Sequence, residues 1–312
     1  MRTRGLAAIE RAREDRSQGR VRWTTHAGLF ALVAVVGSFI IHSVVSSRDL
    51  SHGKEALLAK QRAVKATLGK QWEPLRAKLE DDVLASAKEY AGDLVTPQAR
   101  RKEFRSQPGL YLRMRVANAK DAASVQAAAA DSRKDGFAAC LLREPNERAA
   151  RGDADASAFA DQPWNLAQAY RATRILGDEW AQSVRDTDEE LRLRFFNEEY
   201  DRAVRDEIPV AIDVVSRARF FLLVLDEDVP EALPFTDGGG LSEEALQLVD
   251  HPARVQLFAL PEGKEILRLR RSGEARVIPA GGYAVTDEET QSAMRRQANN
   301  CALAANVEAE LR

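Results

Sequence analysis

The sequence predicts an α/β outer domain, a mixed sheet with helices, preceded by one transmembrane helix and a helical stalk; α+β is the alternative arrangement. Three patterns predict this: a charge-free apolar run near the N-terminus, a long amphipathic helical stretch, and apolar strand patterns beyond it. The 312 residues carry a net charge of −2, with 30% charged and 6% aromatic residues. This balance argues against a nucleic-acid binder, which is usually strongly basic.

The apolar run Ala27–Val45 predicts a transmembrane helix over residues 27–46. The run holds no formal charge, and as a helix it covers about 28 Å, close to the ~30 Å of a bilayer core. A cleaved signal peptide, with Val45 and Ser47 as the −3 and −1 residues of the cleavage site, is the main alternative, but the leading tail and the apolar run are both long for one. A buried core helix is the other alternative, and it rarely shows such uniform apolarity.

The tail, residues 1–26, holds seven arginines against three acidic residues. Basic residues close to the span are equally numerous on its two sides, so they do not decide the orientation. A short basic tail before a single span is nevertheless typical of a signal anchor, and the abundance of arginine and alanine suggests a GC-rich bacterial genome. We therefore expect a bacterial inner-membrane protein with a cytoplasmic N-terminus and a periplasmic C-terminal domain.

The two cysteines, Cys140 and Cys301, lie far apart in the sequence. In an oxidising compartment they could form a disulfide. Both also lie in apolar segments, so two buried free thiols are the alternative. There is no CxxC pair and the four histidines are scattered, so we expect neither a metal site nor a cofactor of the cysteine or histidine type.

Residues 50–95 predict a helical stalk with a kink at Pro74. The stalk either packs against its own domain or self-associates as a coiled coil, which would make a homo-oligomer. The apolar residues that recur at helical spacing are Leu57, Val64, Leu68, Trp72, Leu75, Leu79 and Val83.

The first part of the globular domain, 105–312, predicts a βαβ unit. Residues 110–116 alternate apolar and polar side chains, as a half-buried strand does. An alanine-rich helix over 119–134 would end at Gly136, and the continuous apolar run Phe137–Leu142 is typical of a central strand.

The second part predicts a helical insertion, a second central strand and a hairpin. After a polar loop, the insertion covers 164–207 with a break at Gly177, and Pro209 opens a further short helix. The strand is Arg219–Leu225, and the hairpin turns at 261–264 between residues 255–260 and 265–270.

A closing helix, 286–311, has Thr286 as its expected cap and Glu289 three residues later. Four alanines share one face of this helix, which either packs on the domain's own sheet or admits another helix. They are Ala298, Ala302, Ala305 and Ala309.

Two loop segments suggest binding chemistry. Asp226, Glu227 and Asp228 directly follow a predicted strand, as Glu144 does, and carboxylates at such a position can hold Mg²⁺; the alternative is a strand that simply ends in a solvated loop. Gly238–Gly240 before a helix could cradle an anion, although a flexible linker is the better interpretation.

The predicted hairpin carries a candidate interaction surface of arginines. Alternating arginines usually form a solvated face, but they also suit an anionic ligand, a lipid headgroup or an acidic partner. The residues are Arg254, Arg268, Arg270 and Arg271.

No catalytic signature is found, because His251 stands alone in the outer domain without a patterned serine or cysteine. We expect a non-enzymatic binding or scaffolding module of a multiprotein envelope assembly, with the bilayer and other envelope proteins as partners and no nucleic acid. The alternatives are a membrane-anchored ligand-sensing domain and, third, a metal-dependent enzyme that uses Asp226 and Asp228.

Overall fold

The computed structural model describes residues 49–133, 135–142, 163–229, 246–273 and 287–312. The predicted tail 1–26, the transmembrane segment 27–46 and Gly238–Gly240 lie outside the described residues, as do Glu144 and Thr286. Among the helices that are described, none combines the length and apolarity needed to cross a membrane.

The chain forms two compact units. The smaller unit comprises Met1–Lys60, described from residue 49, and Gln182–Asn197. The larger unit comprises Gln61–Ala181 and Glu198–Arg312 and contains the sheet.

The predicted α/β character is confirmed by a mixed six-stranded sheet with strand order β1-β6-β5-β4-β2-β3. The central strand β4 pairs in parallel with β2 and antiparallel with β5, and β5 and β6 form an antiparallel hairpin. The strands are β1 (Leu94–Val95), β2 (Gly109–Arg115), β3 (Trp164–Asn165), β4 (Phe220–Asp226), β5 (Pro252–Ala259) and β6 (Lys264–Ser272).

Helices cover both faces of this sheet. The helices in the described parts of the two units are α1 (49–87, with a π-helical turn at Lys65–Gly69), α2 (Pro97–Arg100), α3 (Ala122–Asp131), α4 (Gly136–Leu142), α5 (Ala167–Thr173), α6 (Asp178–Asp186), α7 (Glu190–Arg202), α8 (Ile208–Arg217) and α9 (Glu288–Glu310). On one face α4 and α9 pack together over a core that includes Tyr111, Leu222, Val255 and Leu303. On the other, α3 contacts β2 and packs with α1 and α5.

The prediction of β2 is confirmed in position, but the expectation that it is half-buried is wrong. Every residue from Gly109 to Met114 is buried, including Arg113. The alternating polar positions face a second helical layer instead of solvent. Alternating polar and apolar residues show that a strand has two chemically different faces, but they do not show whether the polar face is exposed to solvent.

The apolar run Phe137–Leu142 was expected to be a strand, and it is the helix α4 instead. Phe137, Ala138 and Leu141 are buried at helical spacing, so one face of the helix enters the core. Asp135 stabilises the start of the helix, because its carboxylate accepts a hydrogen bond from the Phe137 N–H at 2.9 Å. Gly136 therefore begins a helix, and it does not end the preceding one; the expected βαβ unit is formed instead through β3 and β4, which are the parallel neighbours of β2.

The helix α1 passes through Pro74 without ending. Proline lacks an N–H, and its ring clashes with the carbonyl of the preceding turn. The π-helical turn Lys65–Gly69 lies just before Pro74, and its wider backbone accommodates this clash. Trp72, Leu79 and Val83 are buried, and α1 packs against α3 and α8. This part of the apolar stripe thus packs on the domain itself, as one of the two interpretations expected.

The predicted break in the helical insertion is confirmed at Gly177, where a 3₁₀ turn ends before α6 begins. Pro209 lies in the first turn of α8, as expected, but the backbone is helical without interruption from residue 190 to residue 217. A second π-helical turn, Ala203–Glu207, precedes this proline. The structure adds an interruption at 187–189, between α6 and α7.

The hairpin is confirmed, with Gly263 in its turn at φ +59°. The final helix begins later than expected: Asp287 is its cap, accepting a hydrogen bond from the Thr290 N–H at 2.8 Å. The alanine face does not pack on the sheet, since Ala305 and Ala309 are exposed. The buried face of α9 contains Asn299, Asn300, Leu303, Ala304, Val307 and Leu311.

Along part of β2, the buried Ser132 hydroxyl makes the backbone hydrogen bonds that a neighbouring strand would otherwise make. The Ser132 hydroxyl accepts a hydrogen bond from the Arg113 N–H at 3.3 Å and donates one to the Arg113 carbonyl at 2.7 Å. Ser132 is fully buried. The Ser132→Ala variant leaves both backbone groups without this partner, and we expect a loss of about 1–3 kcal/mol in the free energy of unfolding.

This loss is measured by urea unfolding of the full chain in detergent micelles, with tryptophan fluorescence as the signal. The matched control is Ser216→Ala, at an exposed serine on α8 whose hydroxyl bonds the Asp213 carbonyl. Its effect should stay within about 0.5 kcal/mol. Equal effects of the two substitutions would contradict the role given to Ser132.

Candidate functional site

The candidate site lies where the parallel strands β2 and β4 end, the edge at which open α/β sheets commonly bind ligands. Arg113 comes from β2 and Asp226 is the last residue of β4. In the strand register Arg113 is paired with Val224 and Arg115 with Asp226. Arg113 and Asp226 are therefore diagonal neighbours, and their side chains meet on the sheet face that α4 and α9 cover.

Arg113 and Asp226 form a bidentate ion pair that is shielded from solvent. The guanidinium Nε donates to Asp226 Oδ2 at 2.7 Å, and Nη2 donates to Oδ1 at 2.8 Å. The side chains are 1% and 0% exposed, respectively. A planar guanidinium matches a carboxylate in this fork geometry, and burial makes removal of either partner costly.

The remaining guanidinium nitrogen connects Arg113 to both flanking helices. Arg113 Nη1 donates to Asp135 Oδ2 at 2.5 Å and to Asn300 Oδ1 at 2.7 Å. Asp135 lies just before α4 and also accepts a hydrogen bond from the Tyr111 hydroxyl at 2.9 Å. Asn300 lies on α9, and its amide donates to Gln247 Oε1 at 3.2 Å.

His251 completes the network on the other side of Asp226. Its Nδ1 lies 3.0 Å from the Val249 carbonyl, and its Nε2 lies 2.9 Å from Asp226 Oδ1. A carbonyl only accepts, so Nδ1 carries a proton; Nε2 faces a carboxylate, so it favours a proton as well. The doubly protonated imidazolium is thus the form that satisfies both contacts.

The pKa values follow from this geometry. Burial alone would raise the pKa of Asp226, but the Arg113 charge and the hydrogen bond from His251 outweigh it and lower this pKa to about 2. Burial alone would lower the pKa of His251, but its hydrogen bond to Asp226 and the Asp226 charge raise it above its ordinary value. Asp226 is therefore favoured in its ionised form and His251 in its protonated form.

A disulfide lies beside this network. Cys140 of α4 is bonded to Cys301 of α9, the residue after Asn300, with the two Cα atoms 5.2 Å apart. The bond joins residues 161 positions apart in the sequence. Of the two alternatives for the cysteines, the structure contains the paired form.

The acidic residues proposed as magnesium ligands do not converge. Asp226 points into the buried network, whereas Glu227 Oε1 accepts from Arg254 at 2.6 Å and Asp228 Oδ1 accepts from Arg115 at 2.6 Å. Each carboxylate is held by an arginine. No group of three or more histidine, cysteine or acidic side chains in the described ranges could hold a metal ion.

The arginines proposed as an interaction surface bind other parts of the same domain. Arg254 also donates to the Ser86 carbonyl at 3.1 Å, and Arg270 pairs with Glu227 at 2.5 Å. Arg268 donates to the Gly92 carbonyl at 2.9 Å, which fixes the segment before β1. Arg271 bridges Asp93 at 2.8 Å and Glu310 of α9 at 2.7 Å. These side chains join the hairpin to its surroundings, and Arg270 remains half exposed.

A groove of about 430 Å³ opens at the opposite edge of the sheet. Its walls include Phe104 and Phe220, whose rings meet edge to face with centroids 6.0 Å apart. Gly109 permits this packing, because a Cβ there would lie 2.1 Å from the Phe220 ring. The other lining residues are Gln98, Glu103, Ser106, Gln107, Pro108, Arg219, Ala259, Pro261, Glu262 and Ile266.

Three polar side chains of the groove are open to a ligand. The Arg219 guanidinium is exposed and makes no ion pair with a described residue. The Gln98 and Gln107 amides are half-buried and make no hydrogen bond within the described part of the chain. This contrasts with the buried network, where each charged group is already paired.

Sequence reasoning found Asp226 but missed Arg113, Asp135, His251 and Asn300. One signal was present: Arg113 interrupts the apolar residues of β2, and an acidic residue ends the apolar strand β4. Oppositely charged residues in two core strands indicate a buried pair, because an unpaired charge is not tolerated there.

No known protein family, curated protein or solved structure matches this chain.

The Asp226→Asn variant removes the charge that neutralises Arg113 in the core. We expect it to reduce the free energy of unfolding by about 3–5 kcal/mol, measured by urea unfolding of the full chain in micelles. The matched control is Asp228→Asn, whose partly exposed pair with Arg115 contributes about 0–1 kcal/mol. A saturable Mg²⁺-dependent rise in Tm that both variants abolish would contradict this assignment and support a metal site.

The His251→Gln variant tests the proton held by His251. Because the folded-state pKa is raised, the stability that the ion pair contributes is fully present below pH 6.5. This contribution is lost as the pH rises through the folded-state pKa. The wild-type unfolding free energy should therefore fall above pH 6.5, and the variant should show a weaker fall.

At acidic pH, Asp226 changes the unfolding free energy in the opposite direction. The lowered pKa of Asp226 makes its contribution present above pH 3.8 and lost as the pH falls towards 2. The unfolding free energy of the wild type should thus be greatest between pH 3.8 and pH 6.5. Parallel profiles of wild type and His251→Gln above pH 6.5 would show that His251 does not carry the linked proton.

Proposed function

We propose that this chain is a single-pass, membrane-anchored envelope protein whose outer domain binds another envelope component and serves as a scaffold in a multiprotein assembly. The observation that carries this proposal is the contrast between the two edges of the sheet. At the carboxyl edge, the charged side chains are paired internally and buried. At the other edge, an open groove presents a cation and two amides above aromatic side chains.

The groove suits an extended segment of a partner protein. The backbone amides of such a segment can pair with Gln98 and Gln107, an apolar side chain can contact Phe104 and Phe220, and a carboxylate can meet Arg219. A peptide supplies all three kinds of group along one short stretch. Contacts of this type position a partner without requiring any reacting group.

Two observations support the compartment. The Cys140–Cys301 disulfide fits an oxidising environment such as the periplasm. The apolar run Ala27–Val45 has the length of a membrane span and follows a basic tail. Together they favour a bacterial inner-membrane anchor with the domain on the periplasmic side.

Ligand sensing is the second candidate, and the groove volume favours it. About 430 Å³ falls within the roughly 300–1,000 Å³ of small-molecule sites. The two candidates differ in what co-purifies with the protein.

The test is to tag the C-terminus, solubilise native membranes gently, and identify the proteins that co-purify in stoichiometric amount. We expect a defined set of envelope proteins with the wild type and its loss, by at least tenfold, with Arg219→Glu. The matched control is Arg217→Glu, two residues earlier on α8 and outside the groove. This variant should retain the full set.

Each other outcome has a distinct meaning. A solitary wild-type protein contradicts the scaffold proposal and leaves ligand sensing as the better candidate. A partner set that survives Arg219→Glu keeps the scaffold but contradicts the groove as its contact.

A further inference from the structure

We propose that Leu191 and Phe195 form an apolar foot that rests in the interface of the bilayer, holding the smaller unit against the membrane. This inference goes beyond a single-span anchor, and it rests on the proposed function in one respect: residues 27–46 must cross the membrane. The occupant of this surface is the lipid itself.

The foot is defined by exposure and spacing. Leu191 and Phe195 are 61% and 60% exposed, and they are the two most exposed of the large apolar side chains in the described chain. They lie four residues apart on α7, so they share one helical face. An exposed pair of this kind, unlike an isolated apolar residue, presents a continuous apolar surface.

The neighbouring contacts place α7 close, along the chain, to the predicted membrane segment. Leu193, between the two residues, lies so near Gly53 of α1 that a Cβ on Gly53 would be 2.8 Å from Leu193 Cδ2. Lys54 Nζ donates to the Arg185 carbonyl at 2.9 Å, which ties the same two segments again. The point of contact with α7 is therefore fixed at residue 53.

Chain length then limits the distance to the bilayer. The four residues from Val45 to Asp49 span at most about 14 Å when fully extended. The four residues from Asp49 to Gly53 are helical and add about 6 Å. Gly53, and with it α7, thus lies within about 20 Å of the end of the apolar run, which is within reach of the headgroup region.

The chemistry of the surface selects the lipid. Leucine and phenylalanine favour the boundary between headgroups and acyl chains. The described residues of the smaller unit carry six acidic and five basic side chains, and four of the acids lie at positions 186–190, next to Leu191. Electrostatic attraction to anionic lipids is therefore absent, and the contact depends on apolar insertion into a zwitterionic surface.

The experiment measures the depth of labels in the full chain, reconstituted in phosphatidylcholine vesicles. The Leu191→Cys and Phe195→Cys variants are labelled one at a time with an environment-sensitive fluorophore, while Cys140 and Cys301 stay paired. Quenching by lipids brominated on the acyl chains is then compared with Arg194→Cys, an exposed charged position on the flank of the same turn of α7, about 100° around the helix from Phe195. We expect at least twofold stronger quenching at positions 191 and 195.

A label at Gly37→Cys, inside the apolar run, separates the two ways of failing. If Gly37 is quenched but 191 and 195 are not, the foot is overturned and the anchor stands. If Gly37 is not quenched, the anchor and the foot both fail. Labels at 191 and 195 that are shielded from water without lipid quenching would indicate a protein contact, such as a second copy of the chain, and would also overturn the proposal.

Lipid composition supplies the last outcome. Replacing half of the phosphatidylcholine by phosphatidylglycerol should weaken quenching at 191 and 195, since the adjacent acidic residues are repelled. Stronger quenching in the anionic vesicles would overturn the apolar mode of contact.

Discussion

The larger unit depends on the burial of one charged pair, Arg113 with Asp226, at the centre of its sheet. Two ions in a low-dielectric core are tolerated only when their remaining hydrogen-bonding groups are also satisfied. This requirement explains why Asp135, Asn300 and His251 gather around them. The pair thus adds directional side-chain contacts between β2, β4, α4, α9 and the residue before β5, beyond the strand pairing and the Cys140–Cys301 disulfide.

A similar use of arginine recurs on the surface of the hairpin. Glu227 receives both Arg254 and Arg270, and Arg271 spans Asp93 and Glu310. Lys102 and Arg105 likewise both pair with Glu308 of α9. Charged residues in this domain therefore connect segments distant in sequence, which leaves the groove beside Arg219 as a place where polar groups are open to another molecule.

Local sequence patterns were sufficient to predict the elements whose secondary structure is determined by their own residues. The strand β4 and the hairpin were predicted because an apolar run and a Pro-Glu-Gly-Lys turn carry their own signal. Phe137–Leu142 was mistaken for a strand, because six apolar residues suit a buried helix equally well. Arg113 was predicted to lie on a solvent-exposed face, because its partner Asp226 lies 113 positions away and no local pattern reveals the pairing.

The final helix has a consequence for how the protein is made. Asn300 and Cys301 of α9 complete a network and a disulfide whose other halves come from residues 113 and 140. Arg113 cannot complete its hydrogen bonds, nor Cys140 its disulfide, until residues 300 and 301 have been synthesised. Contacts this distant form slowly. A nascent chain that still lacks α9 therefore leaves part of this apolar core uncovered, and exposed apolar surface of this kind makes a folding intermediate prone to aggregation.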